Sequence, residues 1–190
     1  MKILNMKTIK LLSIAFIGSL FLTSCSDDSN PVNEEEVITT IIATLTPTSG
    51  SPIILQSRDA DGDGPNAPVI TVSGNLVAGA NYSGTLSILN EVANPVENIT
   101  TEIFEEGADH QFFFQSTNGT IASTSYADVD VNGKPIGIQF NLVAGTAGSG
   151  NFTITLRHEP NKSAANVSTG NISNAGGETD VEVVFPIVVE

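Results

Sequence analysis

A chain of 190 residues with 21 acidic and seven basic side chains carries a formal net charge of −14. Three of the bases, Lys2, Lys7 and Lys10, crowd the start, so from residue 25 onward only Arg58, Lys134, Arg157 and Lys162 stand against all the acids, a net −17. A surface this negative repels phosphate backbones and anionic headgroups, which argues against nucleic acid as a partner and favours cations or cationic proteins.

The first predicted element is an export signal. After the basic opening, Leu11 to Leu22 forms a 12-residue apolar stretch interrupted only by Ser13, Gly18 and Ser19. It is too short to cross a hydrocarbon core of roughly 30 Å as a helix, and it has the length of a signal-peptide core. Leu22-Thr23-Ser24-Cys25 follows and resembles the lipobox of bacterial lipoproteins. That resemblance implies cleavage before Cys25 and a diacylglycerol on its thiol, with residues 1–24 as the signal peptide. Cys25 is the only cysteine in the chain, so no internal disulfide competes for it. Two or more acyl chains give stable anchoring, and the mature protein is then tethered to a membrane through Cys25 without spanning it. Residues 25–36, with Asp27, Asp28 and Glu34-Glu35-Glu36, read as a solvated acidic tether. An acidic run at this place also resembles the surface-export signals of Bacteroidota lipoproteins.

Residues 37–190 are expected to form one all-β domain. Leu86-Ser87-Ile88 alternates with period two, and so do Ile136 to Leu142, Phe152 to Leu156 and Val181-Glu182-Val183, the pattern of strands with one face buried. Turns rich in Gly, Asn and Asp recur between them. Asn98 to Gly107 is the one helix candidate, with Ile99, Ile103 and Phe104 at helical spacing. The chain also repeats itself. A shift of 69 residues aligns Gly50 with Gly119, Asp59 with Asp128, Asp61 with Asp130 and Gly64 with Gly133. A shift of 66 then aligns Asn75-Leu76-Val77-Ala78-Gly79 with Asn141-Leu142-Val143-Ala144-Gly145. The reading is a tandem four-strand duplication, with repeats over 37–109 and 110–190. Each repeat runs strand, Gly turn, strand, Asp-rich turn, strand, Asn-Leu-Val-Ala-Gly turn, strand. With a last strand over Val181 to Val189, about nine strands build an antiparallel β-sandwich, or alternatively a meander barrel.

Candidate ligands lie in the turns. Asp59-Ala60-Asp61-Gly62-Asp63-Gly64 places three carboxylates at alternate positions before a glycine, and Asp128-Val129-Asp130-Val131-Asn132-Gly133 repeats the pattern. Alternate oxygen donors on a tight loop suit a hard cation such as calcium. The helix-loop-helix calcium motif is excluded, because the bidentate Glu it needs is replaced here by Ile70 and Gln139. Asn132-Gly133 equally fits a plain hairpin turn. The two histidines, His110 and His158, are accompanied by Glu106, Asp109 and Glu159, a donor set suited to a transition metal such as zinc. If consecutive strands run antiparallel, their connections alternate between two poles. Both Asp-rich turns, both histidines and the acidic Glu97–Asp109 connection then fall at one pole, near the tether, with His110 and His158 close enough to share a ligand. A catalytic reading has little to rest on. The histidines lack a convincing nucleophile partner, and with no Trp and only Tyr82 and Tyr126 the chain has few aromatic platforms for sugar rings. A binding role is therefore expected, with a structural or adhesive surface module as the alternative.

Glu34-Glu35-Glu36-Val37-Ile38-Thr39-Thr40, Asp109-His110-Gln111-Phe112-Phe113-Phe114, Leu156-Arg157-His158-Glu159-Pro160-Asn161-Lys162 and Asn174-Ala175-Gly176-Gly177-Glu178-Thr179-Asp180 resemble a family of small flavobacterial lipoproteins. Members often carry the description "type 1 periplasmic binding fold superfamily protein", and some accompany TonB-dependent outer-membrane receptors. The description names a two-domain α/β fold, whereas the pattern of this chain is all-β. The receptor association implies an accessory role in nutrient or metal capture.

Overall fold

The structure, a computed structural model, describes residues 37–62 and 64–190. The signal peptide 1–24, Cys25, the tether 25–36 and Asp63 lie outside the described residues.

Among the described residues, ten strands and one short α-helix follow in order: β1 Thr40–Pro47, β2 Ile53–Arg58, β3 Val69–Val72, β4 Asn81–Asn90, β5 Glu97–Asn98, α1 Ile99–Glu105, β6 His110–Ser116, β7 Ile121–Tyr126, β8 Gln139–Ala144, β9 Gly148–His158 and β10 Glu178–Val189, with two single-turn 3-10 helices, Val167–Thr169 and Ile172–Asn174, between β9 and β10. They form two antiparallel sheets. The larger has the order β3-β2-β1-β4-β8-β7, with β5 added beside β4, and the smaller has the order β10-β9-β6. The fold is thus the expected all-β sandwich. The barrel alternative is not what forms: Leu76, in the connection between β3 and β4, makes a single parallel bridge to Val189 of β10, and among the described residues no ladder joins the two sheets into a ring.

Period-two alternation explains the core. Ile41, Ala43 and Leu45 of β1, Leu86 and Ile88 of β4, and Phe140 and Leu142 of β8 point inward from the larger sheet. Phe112 of β6, Phe152, Ile154 and Leu156 of β9, and Val183, Phe185 and Ile187 of β10 meet them from the smaller one. Phe114 stacks on Phe140 across the gap, with ring centroids 4.3 Å apart. The space for Phe140 comes from its cross-strand neighbour Gly84, where a Cβ would fall 2.3 Å from the ring. The helix is seven residues long, about two turns, and is capped by Asn98, whose side chain accepts from the Thr100 N–H at 3.1 Å. Ile99 and Ile103 are buried as their spacing predicts, but Phe104 faces solvent.

The two halves share an order and differ in pairing. β1 pairs with β4 as β6 pairs with β9, and β2 pairs with β3 as β7 pairs with β8. However, β1 also pairs with β2, whereas β6 and β7 part into different sheets. The expectation of two equivalent Asn-Leu-Val-Ala-Gly turns needs correction. Asn75 to Gly79 does link β3 to β4, but Asn141 to Ala144 is strand, in register with β4 through Asn141–Ser83 and Leu142–Tyr82. The strand expected over Ile136 to Leu142 begins only at Gln139, because Gly137 sits at φ +96°, outside the β region.

Candidate metal centre

His110 opens β6 and His158 closes β9, and the two are direct cross-strand partners. Both belong to the inward-facing series of their strands, one step beyond Phe112 and Leu156. Their rings therefore meet at the end of the core, with centroids 4.6 Å apart and planes tilted by 31°. The turn after α1 holds the first ring: His110 Nδ1 lies 3.2 Å from the Glu106 carbonyl oxygen. A carbonyl only accepts, so Nδ1 carries the proton and Nε2 keeps the lone pair, the tautomer a metal ligand needs. Burial also pushes the His110 imidazole below its ordinary pKa, with a smaller push from His158 against the raising influence of the Glu106 carbonyl. A neutral donor results.

The third member comes from β10. Glu178 pairs with His158 and Thr179 with Arg157, but the next pair is Val181 with Leu156, so Asp180 is an extra residue in a β-bulge. The bulge switches which side chains of β10 face inward: Val181, Val183 and Phe185 do so beyond it, and Asp180 is turned toward the histidines. Its side chain is 7% exposed. Asp180 Oδ2 lies 3.9 Å from His110 Nε2, and Oδ1 lies 3.7 Å from His158 Nδ1. These separations are too long for hydrogen bonds. Two donors at about 2.0–2.1 Å from a tetrahedral zinc stand roughly 3.3–3.5 Å apart, so the two carboxylate–imidazole distances need only contract by a few tenths of an ångström to suit a shared ion, while the widest pair of the three must close further. All three ligand atoms lie within 4.8 Å of one another, and no other trio of His, Asp or Glu among the described residues does this. Two imidazoles and one carboxylate form a borderline donor set, suited to zinc, iron, nickel or copper in the divalent state and poorly suited to calcium. His110 is wholly enclosed while the His158 side chain is 17% exposed, so the approach is on the His158 side.

The other predicted ligands take different places. Glu106, Asp109 and Glu159 have exposed side chains and contribute backbone instead. The Glu106 carbonyl fixes His110, and the Asp109 carbonyl accepts from Glu159 N–H at 2.6 Å. In the first Asp-rich turn, Asp59 accepts from the Asp61 N–H at 3.3 Å. Asp61 accepts from the Asn66 side-chain amide at 2.6 Å, the main reason its carboxyl lies below the usual range. In the second, Asp128 accepts from the N–H groups of Gly137 and Gln139 at 2.7 and 2.8 Å. Asp130 Oδ1 accepts from the N–H groups of Asn132 and Lys134 at 2.8 and 2.9 Å, and Gly133 takes φ +72°. That turn is knitted together by its own carboxylates, and the Asn132 side chain faces solvent.

Lys162, which the sequence does not single out, completes that turn. Its side chain is 6% exposed, and its ammonium donates to Asp130 Oδ2 at 3.0 Å, to the Pro135 carbonyl at 2.9 Å and to the Gly107 carbonyl. Burial lowers the Lys162 pKa against the pull of Asp130. For Asp130 burial works upward but is outweighed by the Lys134 N–H, Lys162 and the Asn132 N–H together, so its carboxyl lies below the usual range.

Comparison with protein-family models, with curated protein sequences and with solved structures returns no match for this chain.

Proposed function

We propose that this chain is an exported lipoprotein, anchored through Cys25, whose β-sandwich captures a divalent transition metal at His110, His158 and Asp180. Its role is that of an accessory to an outer-membrane transporter, with a TonB-dependent receptor as the partner. The observation that carries the reading is the meeting of two imidazoles and one carboxylate from three separate strands within 4.8 Å. The net charge of −17 beyond residue 25 supports it, since such a surface concentrates cations near the protein. The lipobox residues support the anchor, and the family resemblance supports the receptor association. The role proposed is binding and not catalysis.

The test is calorimetry on the full-length chain in detergent, with zinc, copper, nickel, iron(II) and calcium titrated separately. A transition metal binds at one ion per chain, and His110→Gln or His158→Gln removes the heat. A response to calcium alone, unaffected by those substitutions, would move the site to the Asp59 turn. No heat and no thermal shift with any of the five would overturn metal capture and leave a structural or adhesive module. Cys25→Ser is expected to release the protein from the membrane fraction, and its retention there would remove the anchor from the reading.

A further inference from the structure

We infer that Arg157 is a positioning residue for the metal, acting from the opposite face of the sheet by holding the turn that presents Asp180; this rests on the metal-capture reading above. Arg157 precedes His158 on β9, so its side chain leaves the sheet on the face away from the histidines. Its Nε and Nη2 donate to the Gly176 carbonyl at 3.0 and 2.8 Å, and Nη2 also reaches the Gly177 carbonyl at 3.0 Å. Nη1 donates to the Thr179 hydroxyl. One planar guanidinium thus grips the chain on both sides of the point where it enters β10. In a protein with 21 acids, these bonds go to backbone carbonyls and a hydroxyl, so the group serves placement and not charge pairing.

The turn it holds is tightly seated. Gly176 and Gly177 take φ +62° and +67°, and a Cβ on Gly177 would fall 2.1 Å from the His158 carbonyl oxygen. The chain is therefore pressed against the backbone of one histidine just before it supplies the carboxylate. Thr179, the last gripped residue, is the neighbour of Asp180. A bulge gives up regular ladder pairing, so the position of its extra residue depends on what fixes its flanks. Here one flank is held by only two ladder pairs, Glu178 with His158 and Thr179 with Arg157, reinforced by the Arg157 grip, and the other is the long regular β9–β10 ladder that resumes at Val181. Loosening the grip lets the carboxylate drift from the two imidazoles while leaving all three ligands in the chain.

The experiment measures zinc affinity and the visible spectrum of the cobalt-loaded full-length chain for wild type, Arg157→Gln, Asp180→Ala and the double variant. Arg157→Gln is expected to weaken zinc binding about 10–100-fold, the range for lost outer-shell support, and to shift the cobalt bands toward those of Asp180→Ala. The double variant binds no more weakly than Asp180→Ala alone, because the grip has nothing left to place. Arg157→Lys, which keeps charge and stem but cannot bracket two carbonyls, falls between wild type and Arg157→Gln, and it decides the matter if the Gln variant does not fold. Wild-type affinity and spectrum in the Arg157 variants, or additive losses in the double variant, overturn the inference and leave metal capture standing. Failure of the wild type to bind zinc or cobalt removes both.

Discussion

At the scale of single residues, the strongest commitment in the fold is Lys162 with Asp130. Taking an ammonium and a carboxylate out of water is costly unless every proton and lone pair is met, and here three acceptors surround one group and three donors the other. Removing a single partner strands the other. Asp130→Asn is expected to lower stability by about 3–5 kcal/mol in urea unfolding, the range for breaking a buried pair. The pH dependence has a definite sign. Because the folded Asp130 pKa lies below its unfolded value of 3.8, its contribution is whole above that pH and drains away as pH falls through the folded value. As pH falls below about 4 the unfolding midpoint of Asp130→Asn should therefore fall less steeply than that of the wild type. Parallel curves would show that the carboxylate takes no part in the acid limb.

At the scale of elements, the bulge in β10 governs both packing and chemistry. Deleting Asp180 joins Thr179 to Val181 and restores one-to-one pairing with Arg157 and Leu156. The expected product keeps its strand signature in circular dichroism and loses zinc affinity by more than about tenfold, since only two ligands remain. Loss of folding would instead make the bulge a requirement of the sheet. The same element shows where sequence reading stops. His110 and His158 could be brought together on paper because hairpin connections alternate between poles, and the strands on either side of them are strongly patterned. Asp180 could not. In Glu178-Thr179-Asp180-Val181-Glu182-Val183 the inward series runs through Val181 and Val183, and strict alternation sends Asp180 outward. One extra residue reverses that parity, and no residue type in the segment signals it. Lys162 was hidden for a related reason: it lies in the irregular chain after β9, where no period exists to assign a face. The Asp-rich turns were legible as turns, but carboxylates that could ligate calcium also cap their own backbone, and hydrogen bonds far along the chain, from Gly137 and Gln139 to Asp128, are invisible to local spacing.

At the scale of the whole molecule, the candidate ligands come one from each strand of the smaller sheet, β6, β9 and β10. An ion held by all three binds the folded chain and not the unfolded one, so it adds stability by mass action, about 2.7 kcal/mol at a hundred times the dissociation constant. A rise of several degrees in the melting temperature with zinc is expected, absent in His110→Gln. An equal rise in that variant would place the zinc elsewhere. The long return from β9 to β10 is the segment any such ion would steady, and the molecule carries its own reporter of that segment's openings. Lys162 hangs from it with its amine sealed beneath the Asp130 turn, whereas the Lys134 side chain is partly open to solvent. An acylating reagent meets Lys134 at once but reaches Lys162 only during the moments when the return lifts away, so the ratio of the two labelling rates is a clock for that lifting.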